Sequence, residues 1–560
     1  MIAVVDEKLH SKVQNGNQIK HGERLLPQVI DTWAEEDPGY IVGMMAKSNS
    51  NYIPLDFINL SVSQLANAIN YTSFWLDETL DTKEEDAIET IAFIGLQDFR
   101  YWAMYFASIK TGRRLLLPSP RNALPNTTSL IDTTNCKTLF YSGPLASQAE
   151  ALEKLIPGLK IFPLPSLDTM IASPTPHYLY GKTWAEAKDD VVMIVHTSGS
   201  TGNPKPIFYT NTILSRNDCD VLTPHVAGRQ LADSTLTKQG QKCFVGSNFF
   251  HLSGIASSTM AFFGRYTDVW GPADQLPSGK IAAEVIKSVG INGMVVVPNV
   301  CESLFSDHGE ELIPHCAGLE HVCWLGGPLA HSTGEWISSN LPHTKLWQIF
   351  GSTETNILPM LVSPSSHWQY MEFHPVIGPT LVHTADPELF EVVHYRHPDP
   401  DFAWARPIFH LFPELDEFRS RDLLRRCPDP GFENMSKFEG RVDDMMLLSN
   451  GLKVNPVHME MMLQVHPSLK GALVFGNSHT SCGLLLEPKV ETIEREELLT
   501  IIWVSVEEAN ALVPEHARVS RDKLVVATND RLFARASKGT VVRKLTLALY
   551  RNEIEQAYTK

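Results

Sequence analysis

The segment VVMIVHTSGSTGNPKPI, residues 191–207, combines residue types that bind anions. Four hydroxyl side chains, two glycines and one lysine lie between Thr197 and Lys205, directly after an apolar run. Glycines let backbone N–H groups converge on an anion, hydroxyls add donors, and Lys205 adds a positive charge. The spacing matches neither the Walker loop nor the dinucleotide fingerprint. The composition therefore indicates a phosphate-binding loop, with an ordinary surface turn as the alternative.

The elements around this loop predict an α/β protein. VVMIV (191–195) is predicted to be a strand, so the loop would lie at a strand's carboxyl end, where such proteins bind ligands. Elsewhere, strand patterns alternate with helical patterns, which is typical of parallel sheets. Strands are predicted within IETIAFIGL (88–96), GMVVVPNV (293–300), HVCWLGGPL (321–329) and TKLWQIFGSTE (344–354).

A domain boundary is predicted near EGRVDD (439–444), where charge and glycine interrupt the pattern. This boundary gives a large N-terminal part, residues 1–440, and a small C-terminal part, residues 441–560. The smaller part has a plausible size for a domain.

The composition excludes some functions. The chain has 560 residues and a formal net charge of −17, which disfavours nucleic acid as a partner. Its eight cysteines form no C-x-x-C pair and are expected to be reduced thiols in the core. No apolar stretch is long enough to span a membrane, and the N-terminus lacks the pattern of a signal peptide. We therefore expect a cytoplasmic protein without a membrane partner.

TSGSTGNPK resembles the phosphate-binding signature of the adenylate-forming enzymes, which include acyl-CoA ligases, luciferases and adenylation domains of non-ribosomal peptide synthetases. Further segments resemble that superfamily's motifs in the same order. They are FFHLSG (249–254), WLGGPLA (324–330), FGSTETN (350–356), FRSRDLL (418–424), GRVDD (440–444) and ASKGTVVRK (536–544). LLLPSPRN (115–122) and SNGLKVNP (449–456) further resemble fungal adenylation domains of synthetase-like carboxylic acid reductases.

The resemblance implies a fold and a reaction. The fold is a large N-terminal domain of α/β subdomains with a small β-barrel-like part, followed by a small mobile α+β domain. In the reaction, a carboxylate attacks the α-phosphate of ATP with Mg²⁺ present, giving an acyl-adenylate and pyrophosphate. A thiol, on the phosphopantetheine of a carrier domain or on CoA, then attacks the activated carbonyl.

The resemblance also implies roles for individual residues. Glu354 would bind Mg²⁺, an ion that prefers oxygen ligands, and Thr353 would contact the α-phosphate. Asp422 would hold the ribose, Arg441 would face the nucleotide, and Asp443 would be the hinge between the two domains. The β- and γ-phosphates would be held by Thr197, Ser198, Gly199, Ser200, Thr201, Gly202 and Lys205, and the adenine would be bordered by Gly326, Gly327 and Pro328.

Two positions depart from the superfamily's motifs. Arg421 replaces the usual glycine of Y-R-T-G-D-L, so the resemblance does not extend to the local loop geometry. Lys538 is the expected catalytic lysine, which would bridge the carboxylate and the α-phosphate. However, Arg543 follows Lys538 by five residues instead of the usual three. Thr540 therefore stands three residues before Arg543, where the motif has its lysine. Lys544 is the alternative lysine.

The acid-binding pocket is predicted from the segment 241–265, which contains no Asp or Glu. An α-amino acid is therefore disfavoured, because its buried ammonium group would need a carboxylate partner. Asn248, Phe249 and Phe250 suit an aryl or other uncharged organic acid, and His251 matches a ring that gates the thiol tunnel in relatives. Core packing is the alternative for these rings. The remaining lining is predicted to comprise Pro298, Asn299, Leu325, Gly326, Gly327, Phe350 and Gly351.

The sequence leaves the thiol acceptor open. The resemblance to fungal reductases favours a carrier domain, followed in that family by a reductase domain. The chain ends at residue 560, shortly after the last motif, so we expect either an excised domain or a standalone relative. A standalone acyl- or aryl-CoA ligase is the alternative enzyme, and a catalytically silent nucleotide-binding domain is the second alternative.

Overall fold

The computed structural model describes residues 19–48, 55–80, 88–197, 204–232, 238–464, 466–489, 494–528, 530–535 and 541–559. Its backbone divides into two compact units. Unit 1 comprises Met1–Pro379 and Tyr395–Phe418, and unit 2 comprises Thr380–His394 and Arg419–Lys560. Compactness does not locate a hinge, so the predicted boundary at 440/441 stays a prediction.

Unit 1 contains the larger set of strands and helices. Its strands are β1 (Ile41–Ala46), β2 (Phe57–Ser61), β3 (Thr90–Ile94), β4 (Arg114–Leu116), β5 (Thr138–Tyr141), β6 (Lys160–Pro163), β7 (Val191–Thr197), β8 (Lys205–Thr210), β9 (Lys242–Gly246), β10 (Thr267–Trp270), β11 (Gly293–Val296), β12 (His321–Leu325), β13 (Lys345–Ile349), β14 (Gly351–Ser352), β15 (Asn356–Ile357), β16 (Met360–Leu361) and β17 (Glu372–Phe373). Its helices are α1 (Leu26–Glu36), α2 (Val62–Thr79), α3 (Arg100–Lys110), α4 (Leu124–Thr133), α5 (Ala146–Leu155), α6 (Leu167–Ala172), α7 (Trp184–Ala187), α8 (Asn211–Ser215), α9 (Leu252–Gly264), α10 (Gly279–Val289), α11 (Pro298–Leu312), α12 (His331–Asn340) and α13 (Ile408–Leu411).

One sheet of unit 1 has six strands in the order β6-β5-β3-β4-β7-β8. Its strands are parallel except β8, which pairs antiparallel with β7. Every residue of β3 is buried, as expected for a parallel strand covered on both faces. The predicted alternation of strands and helices is confirmed here. Strand β7 (Val191–Thr197) contains the predicted strand 191–195 and extends two residues beyond it.

The second sheet of unit 1 has seven strands in the order β13-β12-β11-β9-β10-β1-β2. All neighbouring strands are parallel except β2, which runs antiparallel to β1. Successive side chains alternate between faces, so Phe244 packs in one core cluster and Val245 in another. Two cores thus fix this sheet and the loops at its carboxyl edge.

Unit 2 contains smaller sheets. The strands that lie mainly in it are β18 (Thr380–His383), β19 (Leu389–Tyr395), β20 (Glu417–Arg426), β21 (Ser436–Arg441), β22 (Met446–Leu447), β23 (Lys453–Val454), β24 (Leu469–Phe475), β25 (Cys482–Pro488) and β26 (Val519–Val526). Its helices are α14 (Val457–Gln464), α15 (Arg495–Ala511), α16 (Arg543–Leu549) and α17 (Arg551–Tyr558). Strands β18-β19-β20-β21 form a four-stranded sheet, and β24-β25-β26 form a further sheet. The barrel-like part stays a prediction.

The structure bears on the cysteines and on the absence of a predicted membrane span. All eight cysteines are buried and free, which confirms the prediction of reduced core thiols. Among the described residues, no helix combines the length and the apolar character needed to cross a membrane.

Candidate functional site

The predicted phosphate loop connects β7 and β8. Thr197, the last residue of β7, pairs with Lys205, the first residue of β8. The exposed Lys205 Nζ lies 5.1 Å from the centroid of the Phe412 ring, a cation–π distance that the sequence did not predict. Five predicted phosphate ligands lie outside the described residues, and they are Ser198, Gly199, Ser200, Thr201 and Gly202. The structure thus places the two ends of the loop side by side.

His196, in β7 before the predicted phosphate loop, contacts the LLLPSPRN segment (115–122). The Ser119 N–H donates to His196 Nε2 at 3.1 Å, and Asn122 Nδ2 lies 3.5 Å from the same nitrogen. Burial lowers the pKa of His196 to about 4, so the ring is neutral near pH 7 and accepts the Ser119 N–H. The parallel neighbours β4 and β7 therefore bring their carboxyl ends together through a residue that sequence reasoning missed.

A buried tyrosine joins β8 to the FGSTETN segment. The Tyr209 hydroxyl donates to the Thr353 carbonyl oxygen at 2.6 Å. Burial raises the pKa of Tyr209, and the nearby negative charge of Glu354 raises it further. Thr353 and Glu354 lie in the short connection between β14 and β15, and both are partly exposed. The structure thus brings the predicted Mg²⁺ ligand close to the strand that follows the phosphate loop.

The geometry of the FGSTETN turn depends on close backbone packing. A Cβ on Gly351 would lie 2.1 Å from the Asn356 carbonyl oxygen, so only glycine fits there. Asn356 itself has φ +57°, a left-handed conformation that asparagine tolerates. Phe350, the residue before this glycine, is buried. The motif's spacing is thus explained by a tight two-strand hairpin directly after β13.

The WLGGPLA and PNV segments are adjacent in unit 1. Gly326 follows Leu325, the end of β12, and has φ +87°, a conformation that favours glycine. A Cβ on Gly327 would lie 3.8 Å from Pro298 Cγ, so the two predicted lining residues are neighbours. Asn299 follows Pro298 in the first turn of α11. The Ala330 N–H, two residues after Pro328, donates to Glu302 Oε1 at 2.9 Å, which fixes this loop against α11.

The predicted aromatic residues of the acid pocket are enclosed. Phe249 has no exposed surface, and its ring stacks on Trp270 with a centroid distance of 3.8 Å and lies parallel to Tyr101 at 5.6 Å. Phe250 is also buried, and its ring lies 4.6 Å from that of His251. These rings belong to the core of unit 1, and a direct contact with an acid stays a prediction.

The backbone at Phe249 is fixed by two hydrogen bonds. The Phe249 N–H donates to Gln97 Oε1 at 2.9 Å, and the Tyr105 hydroxyl donates to the Phe249 carbonyl oxygen. Sequence reasoning missed both partners, because they precede this segment by more than 140 residues. Helix α3 and the loop before it therefore set the position of the predicted pocket segment.

Asn248 is the polar residue of this segment. It is buried, and its Oδ1 has no hydrogen-bond partner among the described residues. Buried acceptors are normally paired in folded proteins. The Asn248 oxygen is therefore suited to accept a hydrogen bond from water or from a bound molecule.

In unit 2, the predicted nucleotide residues form ion pairs with each other. Asp422 on β20 lies opposite Arg441 on β21, and Arg441 Nε is 3.8 Å from Asp422 Oδ1. The neighbouring Arg421 donates through Nη1 to Oδ1 of Asp443. The backbone of Arg421 has φ +65°, which lies in the left-handed region that favours glycine.

The C-terminal motif is described on both sides of Lys538, which itself lies outside the described residues. Arg535 and Val541, the described residues that flank this part of the motif, form an isolated antiparallel bridge. Arg535 Nη1 donates to the fully buried Glu487 at 3.0 Å. Lys544 is exposed in the first turn of α16. The choice between Lys538 and Lys544 stays a prediction.

A parallel α/β core, a hairpin that carries the phosphate signature and an adjacent FGSTETN turn define an adenylate-forming enzyme. The chain belongs to the AMP-binding enzyme family: the sequence profile of that family matches residues 46–388, and the profile of the AMP-binding enzyme C-terminal domain matches residues 443–560.

Individual relatives refine this assignment. The isocyanide synthase–NRPS hybrid crmA of Aspergillus fumigatus is 30% identical over 553 residues, which are 97% of this chain and 34% of crmA. A carboxylic acid reductase of Neurospora crassa is 28% identical over 548 residues, which are 96% of this chain and 51% of the reductase. This chain thus spans about half or less of these curated relatives.

A solved structure agrees in fold. The McyG A-PCP structure complexed with phenylalanyl-adenylate has a TM-score of 0.72 and 14% sequence identity, and the match covers 97% of this chain and 86% of that chain. The predicted fold class is thereby confirmed.

Proposed function

We propose that this chain is the adenylation domain of a synthetase-like carboxylic acid reductase. It would use ATP and Mg²⁺ to convert a carboxylic acid into an acyl-adenylate, and transfer the acyl group to the phosphopantetheine thiol of a carrier domain. The curated relatives named above support this assignment. The observation that carries the chemistry is the Tyr209–Thr353 hydrogen bond, which joins β8, the strand after the predicted phosphate loop, to the segment containing Glu354.

In the first half-reaction, a substrate carboxylate oxygen attacks the α-phosphorus of ATP, and the bond from that phosphorus to the pyrophosphate oxygen breaks. Both reactants are anions, so catalysis depends on positioning and on charge neutralisation. Lys205 and the hydroxyl of Thr197 would bind the departing phosphates. Lys538 would stabilise the charge that develops between the carboxylate and the α-phosphate.

The residues present fit a nucleotide with Mg²⁺. Glu354 is partly exposed and is held beside Tyr209, so its carboxylate is available as an oxygen ligand. Mg²⁺, when bound, would neutralise phosphate charge. Asp422 would hold the ribose hydroxyls, and its partner Arg441 would face the nucleotide. Gly326, Gly327 and Pro328 would border the adenine, at the carboxyl edge where β12 ends.

In the second half-reaction, the thiol sulfur attacks the acyl carbonyl carbon, and the bond from that carbon to the AMP oxygen breaks. A carrier phosphopantetheine is the proposed acceptor. The support is the similarity to a carboxylic acid reductase, in which the matching region is about half of a longer chain. His251 would gate the thiol's approach. The alternative acceptor is free CoA.

The proposed acid is an aryl or other organic acid without an α-ammonium group. No carboxylate is present in segment 241–265 to pair with an ammonium ion. The neighbouring strand β10 contains Asp268, which is fully buried, and burial raises its pKa well above the usual range. Asn248 Oδ1 would accept a hydrogen bond from the acid or from water bound beside it.

The test is acid-dependent pyrophosphate release by the purified chain with ATP and Mg²⁺. A panel of aryl, aliphatic and amino acids should show release with organic acids and little with amino acids. Glu354→Gln should lower kcat roughly 10²–10³-fold, in line with the loss of other electrostatic stabilisers. If no acid of the panel gave pyrophosphate release, the proposed function would be contradicted. Strong turnover with amino acids would contradict the pocket assignment.

Two further comparisons refine the proposal. Lys538→Ala should abolish most adenylation, whereas Lys544→Ala, on the exposed face of α16, is the matched control and should retain it. The reverse result would reassign the catalytic lysine. For the acceptor, thioester formation should occur on a supplied phosphopantetheinylated carrier. Equal transfer to free CoA would favour the ligase alternative.

A further inference from the structure

Arg421 is an exposed residue with a strained backbone. Its φ of +65° lies in the left-handed region, where the Cβ of an L-residue approaches its own backbone and only glycine is unstrained. The side chain is 58% exposed, so burial in a core does not impose this conformation. An unusual backbone conformation that packing does not require points to a functional constraint.

In this conformation, Arg421 contacts Asp443. The guanidinium Nη1 donates to Asp443 Oδ1, and the Asp443 side chain is 48% exposed. Asp443 lies in the 3₁₀ turn Val442–Asp444, directly after β21. The Arg421 side chain thus brings an exposed cation to the turn that follows the β20–β21 pairing.

Neighbouring contacts hold the base of this arrangement. Arg441 Nη2 donates to the Ser420 carbonyl oxygen at 3.2 Å, and the Asp422 N–H donates to Ser420 Oγ at 3.1 Å. The β-sheet register also places Asp422 opposite Arg441. These contacts end at Arg441, so the Arg421–Asp443 pair is the next contact along the chain and restrains the turn itself.

We propose that Arg421 is a positioning residue that restrains rotation at the Asp443 hinge, a role that rests on the proposed function. We call the Arg421–Asp443 pair the hinge latch. Backbone rotation at Asp443 moves its carboxylate away from the guanidinium, so the latch must break before the hinge turns. Because the latch is exposed, it breaks readily and is screened by salt.

A latch of this kind shifts a population without taking part in chemistry. The hinge would alternate between a state that forms the adenylate and a state that transfers the acyl group. Stabilising one state lowers the population of the other. Loss of the latch should therefore change the rates of the two half-reactions in opposite directions.

The test is Arg421→Gly. Glycine adopts a φ of +65° without strain, so the variant should fold with unchanged or higher thermal stability. ATP–pyrophosphate exchange measures the first half-reaction, and thioester formation from preformed adenylate measures the second. We expect their ratio to change about two- to fivefold, the range that an exposed ion pair supports. Rates that fall together, or an unchanged ratio, would overturn the proposal.

Controls separate the latch from general charge effects. Arg419→Gly removes a neighbouring exposed arginine that pairs with Glu391 at 2.7 Å, away from the hinge turn, and should leave the ratio unchanged. Asp443→Asn should shift the ratio in the same direction as Arg421→Gly, and the double variant should add nothing further. Additive effects would show that the two residues do not act as a pair.

A second readout does not depend on activity. Hydrogen exchange of the Asp444 and Met445 amides should be faster in Arg421→Gly than in the original chain, and salt should reduce the difference. If the original chain releases no pyrophosphate but this exchange difference is present, the proposed function fails and the latch is supported. Equal exchange in both proteins would overturn the latch even if the enzyme is active.

Discussion

The two units hold their predicted nucleotide-binding segments by different kinds of contact. In unit 1, Tyr209 is 1% exposed and donates to Thr353 at 2.6 Å, and the buried His196 accepts the Ser119 N–H. In unit 2, the side chains of Arg441 and Asp422 are 50% and 16% exposed, with 3.8 Å between their charged atoms. One site region is fixed by buried hydrogen bonds, and the other by exposed ion pairs.

This difference has a physical consequence. Breaking a buried hydrogen bond leaves a desolvated polar group without a partner, whereas an exposed ion pair exchanges its partner for water at little cost. The predicted phosphate-binding residues of unit 1 are therefore expected to keep a constant geometry. The exposed pair at Asp443, the predicted hinge, can break and reform at little cost.

The largest effect is expected from Phe249→Ala, which removes a buried ring from the core of unit 1. Phe249 is fully enclosed between Trp270 and Tyr101, so removing its ring leaves a cavity in the core of unit 1. We expect a loss of about 3–5 kcal/mol in the free energy of unfolding of unit 1. Urea denaturation followed by tryptophan fluorescence measures it.

Phe249→Leu is the matched control, since it keeps most of the apolar volume and should cost less than half as much. A loss below about 1 kcal/mol for the alanine variant would show that the ring lies in an adaptable pocket and not in a rigid core.

Much of the fold was predictable from the sequence. The run from Val191 to Val195 predicted β7 because apolar runs bounded by turn residues are typical of buried parallel strands. Strand order was not predictable, because β9 pairs with β10 and with β11, and this choice depends on packing between distant elements. Residues 380–394 belong to unit 2 because β19 pairs with later strands, a long-range pairing that no local pattern shows.

The candidate site was predictable where a local motif forms it. Thr353 and Glu354 belong to one short turn, so their spacing alone brought them together. Tyr209 and Gln97 were missed because their contacts join residues more than 140 positions apart. Phe249 was predicted as pocket lining, but composition cannot separate an aromatic residue that lines a pocket from one that packs in the core.

An intermediate effect is expected from pH, through His196. Its pKa of about 4 lies below the usual 6.5, so the unfolded chain binds a proton between these values that the folded chain does not. Stability therefore falls as pH decreases from 7 to 5, by about 2 kcal/mol from this residue. His196→Asn, which keeps an acceptor for Ser119, should remove that part of the pH dependence in denaturation measured at both values.

His321 provides an internal reference for this measurement. It is buried in the same unit, and burial lowers its pKa to about 4 as well, so its contribution should persist in the His196 variant. An identical pH dependence in the variant and the original chain would show that His196 does not accept the Ser119 N–H as a neutral ring.

The smallest effect is expected from Asp443→Asn, which removes one charge of an exposed ion pair in unit 2. Its pair with Arg421 is solvated, so the free energy of unfolding of unit 2 should change by less than about 1 kcal/mol, and less still at high salt.

The same carboxylate-to-amide change at Glu487 is the matched control. That side chain is 0% exposed and pairs with Arg535, so the loss of its charge should cost several times more. Denaturation of both variants at low and high salt measures the contrast, and equal losses would mean that the hinge pair holds the fold instead of regulating a movement.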